Sequence, residues 1–235
     1  MNLEKLILVN NECYKTGKTI VPTGIMVHST GANNPNLKRY VGPDDGLLGK
    51  NQYNNHWNQP RPDGKQVCVH AFIGKLADGS IATYQTLPWN HRGWHAGGKA
   101  NDTHIGFEIC EDNLSDANYF NKVYKEAVEL CVHLCKTYNL TEKSIIGHYE
   151  GYKLGIASNH GDPRNWFLKH QKSMATFRAD VKKALTSPPL SPTPPQTTNQ
   201  LYKVQVGAYS VKANADAMLK KVKAAGFTDA FIKIE

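Results

Sequence analysis

The sequence predicts an α/β domain with a mixed central β-sheet flanked by helices, plus a small βαβ C-terminal module. Three observations lead there. Short β-rich runs alternate with helical periodicity through the first 185 residues. Asp78-Gly79 parts two β-rich runs, as the turn of a hairpin does. After Leu185 the composition breaks: "TSPPLSPTPPQTTNQ" holds five prolines and no charge. Proline removes amide donors and stiffens an extended chain, so this stretch reads as a semi-rigid linker. The layout expected is a domain over 1–185, a linker over 186–200 and a module over 201–235.

In order along the chain, "GIMVHST" (Gly24 to Thr30) is a short apolar strand candidate with a histidine near its end. "KQVCVHAFIG" and "IATYQTL" flank the hairpin turn. "HIGFEICE" alternates apolar and polar residues, as a strand does. From Asp116 to Tyr138 the period becomes helical: Phe120, Val123, Ala127, Cys131, Leu134 and Tyr138 share a face, and Asp116 suits the N-cap. "KSIIGH" is a further strand candidate ending in a histidine, and a last helix is expected over 169–185. In the tail, Val204 and Val206 suggest a strand, Ala213 to Ala225 a helix stopped by Gly226, and "AFIKI" a second strand. A unit of that size buries little surface by itself.

Composition narrows the classes. A chain of 235 residues with 40% apolar content can bury a core, and a mean hydropathy of −0.51 is that expected of a soluble protein. No apolar run approaches the roughly 18 residues of a membrane span, so no membrane insertion is expected. The start, "MNLEKLILVNNECYK", lacks the pattern of a secretory signal, which predicts a product made in the cytoplasm or leaving by another route. The charge of +8 favours polyanionic partners: nucleic acid, anionic membrane or bacterial cell wall. Five cysteines without a CxxC pair read as reduced core thiols. Cys131 and Cys135 bracket His133, which would point away from their shared helical face, so they make a poor metal site.

Polar residues end three apolar runs: His28, Glu108 and His148. The loop "SNHGDPRNWF" adds His160 and Asp162. Two imidazoles, a carboxylate and an open fourth position would make a catalytic zinc site, with Zn2+ lowering the pKa of water to roughly 7. A nearby carboxylate can accept a proton, and an imidazole can steady an oxyanion. Ten histidines also make chance groupings easy, and there is no HExxH. Solvated loop histidines with one core histidine remain the plain alternative.

Taken together, "GIMVHSTG", "WHAGG…NDTHIGFEICE" and "IIGHYEG…NHGDPRNWF" resemble the zinc N-acetylmuramoyl-L-alanine amidases related to peptidoglycan recognition proteins. The resemblance spans about Gly24 to Phe167 in order. It implies zinc held by His28, His148 and Asp162, with Glu108 as the strand glutamate. It also implies cleavage of the amide between N-acetylmuramic acid and L-alanine in bacterial peptidoglycan. Relatives often carry a lysine where this chain has His160, which puts oxyanion stabilisation on an imidazole. His95, Asn101 and Trp94 are expected along the substrate groove. No tyrosine role carries over, because Val69 precedes His70. "VQVGAYS" and the rest of the tail are similar to the SPOR repeat, which binds glycan strands.

With no secretory signal at its start, the resemblance points to a phage or prophage endolysin, made in the cytoplasm and released to the cell wall by host lysis or a holin-type pore, or to an autolysin. A non-catalytic peptidoglycan-binding module is the alternative, against which stands the complete ligand set. A metal-dependent nuclease would suit the basic charge, but no phosphate loop or aromatic platform for nucleic acid is present. Composition and motif leave the oligomeric state open.

Overall fold

The computed structural model describes residues 1–113, 115–187, 206–227 and 230–233. These fall into two compact units, one within Met1–Pro188 and one within Pro189–Glu235.

The first unit is built on a six-stranded sheet in the order β1-β4-β3-β5-β2-β6. Its strands are β1 (Leu3–Lys5), β2 (Gly24–Ser29), β3 (Ala71–Lys75), β4 (Ile81–Gln85), β5 (His104–Ile109) and β6 (Ile145–Gly147). Only β3 and β4 pair antiparallel, across the Asp78-Gly79 turn. β1–β4, β3–β5, β5–β2 and β2–β6 are parallel. The helices are α1 (Glu12–Thr16), α2 (Ala117–Tyr138), α3 (His148–Lys153), α4 (Arg164–Lys169) and α5 (Met174–Thr186).

α2 starts where the Asp116 side chain accepts from Tyr119 N, and ends at Asn139 in the left-handed region. Its apolar face packs with α5 on one side of the sheet: Phe120, Val123, Ala127, Cys131 and Leu134 meet Ile25, Val27, Phe107 and Phe177. Strand alternation turns the neighbours of these residues to the opposite side. There Phe72, Tyr84 and Ala82 pack with Leu37, Tyr40 and Leu48, and Met26 packs with Ala96 and Ala100. β2 is buried at every position, as expected of an inner parallel strand covered on both faces.

Four expectations need correction. The strand in "KQVCVHAFIG" begins only at Ala71, because the preceding residues pair singly: Cys68 bridges to Trp94, and His70 N donates to Gly106 O of β5. The histidine of "KSIIGH" opens a helix rather than closing a strand. The helix expected over 169–185 starts only at Met174, capped by Ser173, and runs through Thr186, while Lys169 closes a separate short helix, α4. The cysteines are not all reduced: Cys13 and Cys68 form a disulfide across 55 residues of sequence. Sequence spacing could not reveal this pair, because tertiary packing brings α1 against the stretch before β3. Cys110, Cys131 and Cys135 are buried free thiols, and Cys131 and Cys135 lie in the core away from any metal cluster.

In the second unit the described structure is one helix, α6 (Lys212–Ala224), followed by Gly226 at φ 101°. Val206–Tyr209 and Ala230–Lys233 have no strand pairing among the described residues. Val204 and Ile234, and most of the expected linker, lie outside those residues.

Candidate metal centre

β2, β5 and β6 run parallel and end at one edge of the sheet. Crevices at the carboxyl ends of parallel strands are where such sheets place their chemistry. His28 is next to last in β2, Glu108 sits level with it in β5, and His148 follows β6 directly. Register therefore turns His28 and Glu108 to the same face, opposite α2. Asp162 arrives on the loop between α3 and α4. That loop is anchored by buried Trp166 and Phe167 and by Tyr149 N–H donating to the Asp162 carbonyl (3.2 Å).

His28, His148 and Asp162 converge, each offering one ligand atom within 4.8 Å of the others. His28 Nδ1 lies 3.1 Å from Asp162 Oδ2 and 3.1 Å from His148 Nδ1. His148 Nδ1 lies 3.4 Å from Asp162 Oδ1. Tetrahedral bonds of 2.0–2.2 Å would place ligand atoms roughly 3.3–3.6 Å apart. Two imidazole nitrogens and a carboxylate at these separations fit a divalent cation.

The electrostatics follow from burial. His28 is 1% exposed, and desolvation lowers its pKa even though Asp162 works to raise it. Burial alone would raise Asp162, but the closely set imidazoles of His148 and His28 outweigh it and hold the carboxylate well below the usual range. Glu108 goes the other way. Burial first, then the charges of Asp162 and Glu111, push its carboxyl well above the usual range. Its Oε2 is buried and makes no hydrogen bond.

The remaining expected residues divide. His160 is exposed, with its ring 4.7 Å from that of His148 and its Nδ1 3.0 Å from Ser158 Oγ. Trp94 is 41% exposed beside the Arg92 guanidinium, 5.2 Å from its ring. His95 lies beneath the metal cluster, its Nδ1 3.0 Å from His28 Nε2. Asn101 is 3% exposed, and its Oδ1 accepts from His95 N (2.9 Å) and Ala96 N (2.8 Å). Half-buried His95 thus meets a metal-cluster histidine, and nearly buried Asn101 holds the backbone of that segment in place. A cavity of about 380 Å³ does open beside Asp162, lined by Ser29, Glu111, His160, Asn165, Trp166 and Lys169.

Two contributors escaped the motif reading. Ser158 Oγ sits 3.3 Å from His148 Nε2. His70 continues a row of imidazoles, His70–His95–His28–His148–His160, with centroids 5.9, 5.1, 4.8 and 4.7 Å apart. The only sequence signal for either was proximity to a motif, and chain neighbours are not spatial neighbours.

An α/β sheet with a His-His-Asp cluster at its strand ends is a domain with a candidate metal-binding site. The profile of the N-acetylmuramoyl-L-alanine amidase family matches residues 17–165, and the chain belongs to that family. A SPOR domain profile matches residues 176–235, beginning inside α5, whose Phe177 and Val181 are buried in the first unit's core.

A probable N-acetylmuramoyl-L-alanine amidase of Bacillus licheniformis is 31% identical over 86 residues, which is 37% of this chain and 22% of that protein. The chain therefore matches only about a fifth of that relative's length. The hydrolase AmiA of Staphylococcus aureus, solved with its ligand, shares the fold at a TM-score of 0.56 and 19% identity, over 78% of this chain and 82% of the other. A mutant endolysin from Bacillus subtilis aligns at a TM-score of 0.51 and 25% identity, over 77% and 99% of the two chains.

Proposed function

We propose that this protein is a zinc-dependent peptidoglycan hydrolase that cleaves the amide between N-acetylmuramic acid and L-alanine. The observation that carries the reading is the convergence of His28 Nδ1, His148 Nδ1 and the Asp162 carboxylate at the sheet edge, in a chain of the amidase family. His28, His148 and Asp162 would hold the ion. When bound, zinc supplies Lewis-acid chemistry, polarising a carbonyl and making water acidic enough to ionise near neutral pH.

The chain's own groups do the rest. In its ionised form Glu108, made the stronger base by burial, can accept a proton from the attacking water through Oε2 and pass it to the leaving amine. His160, exposed at the rim, donates to the developing oxyanion in its protonated form. The cavity beside Asp162 takes the part of the substrate flanking the scissile bond, and Trp94 offers a ring to sugar or peptide. The tail, matched by the SPOR profile, would hold the enzyme on the wall through the linker over 186–200. The endolysin among the structural neighbours favours a phage or prophage lysin, or an autolysin, acting at the wall.

Metal analysis of the purified protein, paired with mass spectrometry of its wall digest, tests this. One zinc per chain, new amino termini and activity lost to a chelator support it. New reducing sugar ends, or wall binding without either product, would rule it out. His28→Ala should abolish lysis while leaving wall binding largely in place, and His160→Lys should stay active.

A further inference from the structure

We infer that the His95–Ala96 segment, clamped by Asn101, is the outer frame of the metal centre and makes both ligand histidines present Nδ1 to the ion. The inference rests on the metal-centre reading above. It starts from two backbone carbonyls, which can only accept hydrogen bonds.

The first is the carbonyl of His104, 3.2 Å from His95 Nε2. His95 must carry its proton on Nε2 to donate there. Neutral His95 then has a bare Nδ1, which accepts from His28 Nε2–H at 3.0 Å. His28 is left with its Nδ1 lone pair toward Asp162 and His148.

The second is the carbonyl of Ala96, to which Ser158 Oγ donates (3.1 Å). With its only proton spent there, Ser158 Oγ accepts on its two lone pairs, from His160 Nδ1–H at 3.0 Å and from His148 Nε2–H at 3.3 Å. His148 in turn points a bare Nδ1 at the same place. Two Nδ1 lone pairs and a carboxylate then face one another within 4.8 Å with no proton between them, an arrangement only a cation makes favourable.

The frame is built to hold still. Ala96 O also accepts from Ser158 N (2.7 Å). Asn101 Oδ1 pins both amides of the pair. Gly97 adopts φ 64°, and a Cβ there would lie 2.6 Å from Ser158 Oγ. At Gly106 a Cβ would overlap the His95 ring, so glycine in β5 makes the floor on which that ring rests. His95 and Ser158 are thus positioning residues, acting through the ligands as outer partners of metal-bound histidines commonly do.

The test measures zinc affinity by competition with a chromophoric chelator for the wild-type chain, His95→Phe and Ser158→Ala. It also reads ring-nitrogen tautomers of the metal-free wild type by ¹⁵N NMR. The inference expects Nε2–H on both His28 and His148, and zinc binding weakened about 10- to 100-fold in each variant. Ser158→Ala, at a partly exposed loop, should keep the metal-free melting temperature. Zinc held within about twofold of wild type by both variants, or Nδ1–H on either histidine, would overturn it. If the wild type bound no zinc, the metal-centre reading would fall, while the tautomer spectrum would still judge the frame.

Discussion

Glu108 and His70 carry opposite electrostatic burdens within one buried layer. Glu108 is an acid that burial keeps protonated more readily than in water, with Oε2 free of hydrogen bonds. Glu108→Gln should lower wall hydrolysis by about 10² or more while metal content and melting temperature stay level, as measured by amine release, metal analysis and calorimetry. His70 donates from Nε2 to His91 O (2.8 Å) and accepts at Nδ1 from Gly106 N (3.0 Å). Burial lowers its pKa from 6.5 to about 4. The unfolded chain therefore takes up this proton at a higher pH than the folded one. The stability tied to His70 is complete above pH 6.5 and is lost as pH falls toward 4, by about 3 kcal/mol at the limit. Urea unfolding between these pH values should show that slope, and His70→Gln should flatten it. Asn101→Ala would strand two amides that are now paired, costing about 1–3 kcal/mol for each that stays buried. Asn101→Asp keeps the accepting oxygen and should recover most of the loss in the same unfolding measurement.

Among the elements, α2 was legible because its period is long and its cap is an aspartate. β1 and α1 were not, having three and five residues, too few for a period to emerge. What ties elements together was invisible as well. Arg178 of α5 forks onto Glu150 of α3 (2.7 and 3.0 Å) and donates to Ile145 O of β6 (3.1 Å), bracing the start of the helix that carries His148. Arg178→Met should cost about 2 kcal/mol in denaturant unfolding, the scale of a charge-assisted hydrogen-bond cluster that is only partly buried. The Cys13–Cys68 bridge closes a 55-residue separation. Its reduction, or a paired serine replacement, should remove about 4 kcal/mol by chain entropy, read as a lower melting temperature under reductant.

For the whole molecule, division of labour is the main expectation. Residues of the first unit carry the candidate chemistry, and the second lies beyond a proline-rich stretch. A chain ended after Ser187 should hydrolyse soluble wall fragments at the full rate but lyse intact walls more slowly, because tethering raises local substrate concentration. Equal loss on both substrates would mean that the tail supports the catalytic unit itself. The SPOR match reaches back into α5, yet Phe177 and Val181 of that helix are core residues of the first unit. A cut inside α5 should therefore unfold the catalytic part rather than free it.

Local order along the chain was enough to give most strand and helix candidates, the change of composition after Leu185 and the histidines and acids that follow apolar runs, because period, turn chemistry and composition are properties of neighbouring residues. Tertiary structure alone decided that His95 meets His28, that Asn101 holds the His95 amide, that Ser158 meets His148 and that Cys13 meets Cys68. Each of these depends on which loops a parallel sheet brings over its carboxyl edge. That is set by crossover packing between segments far apart in sequence, and no local pattern encodes it.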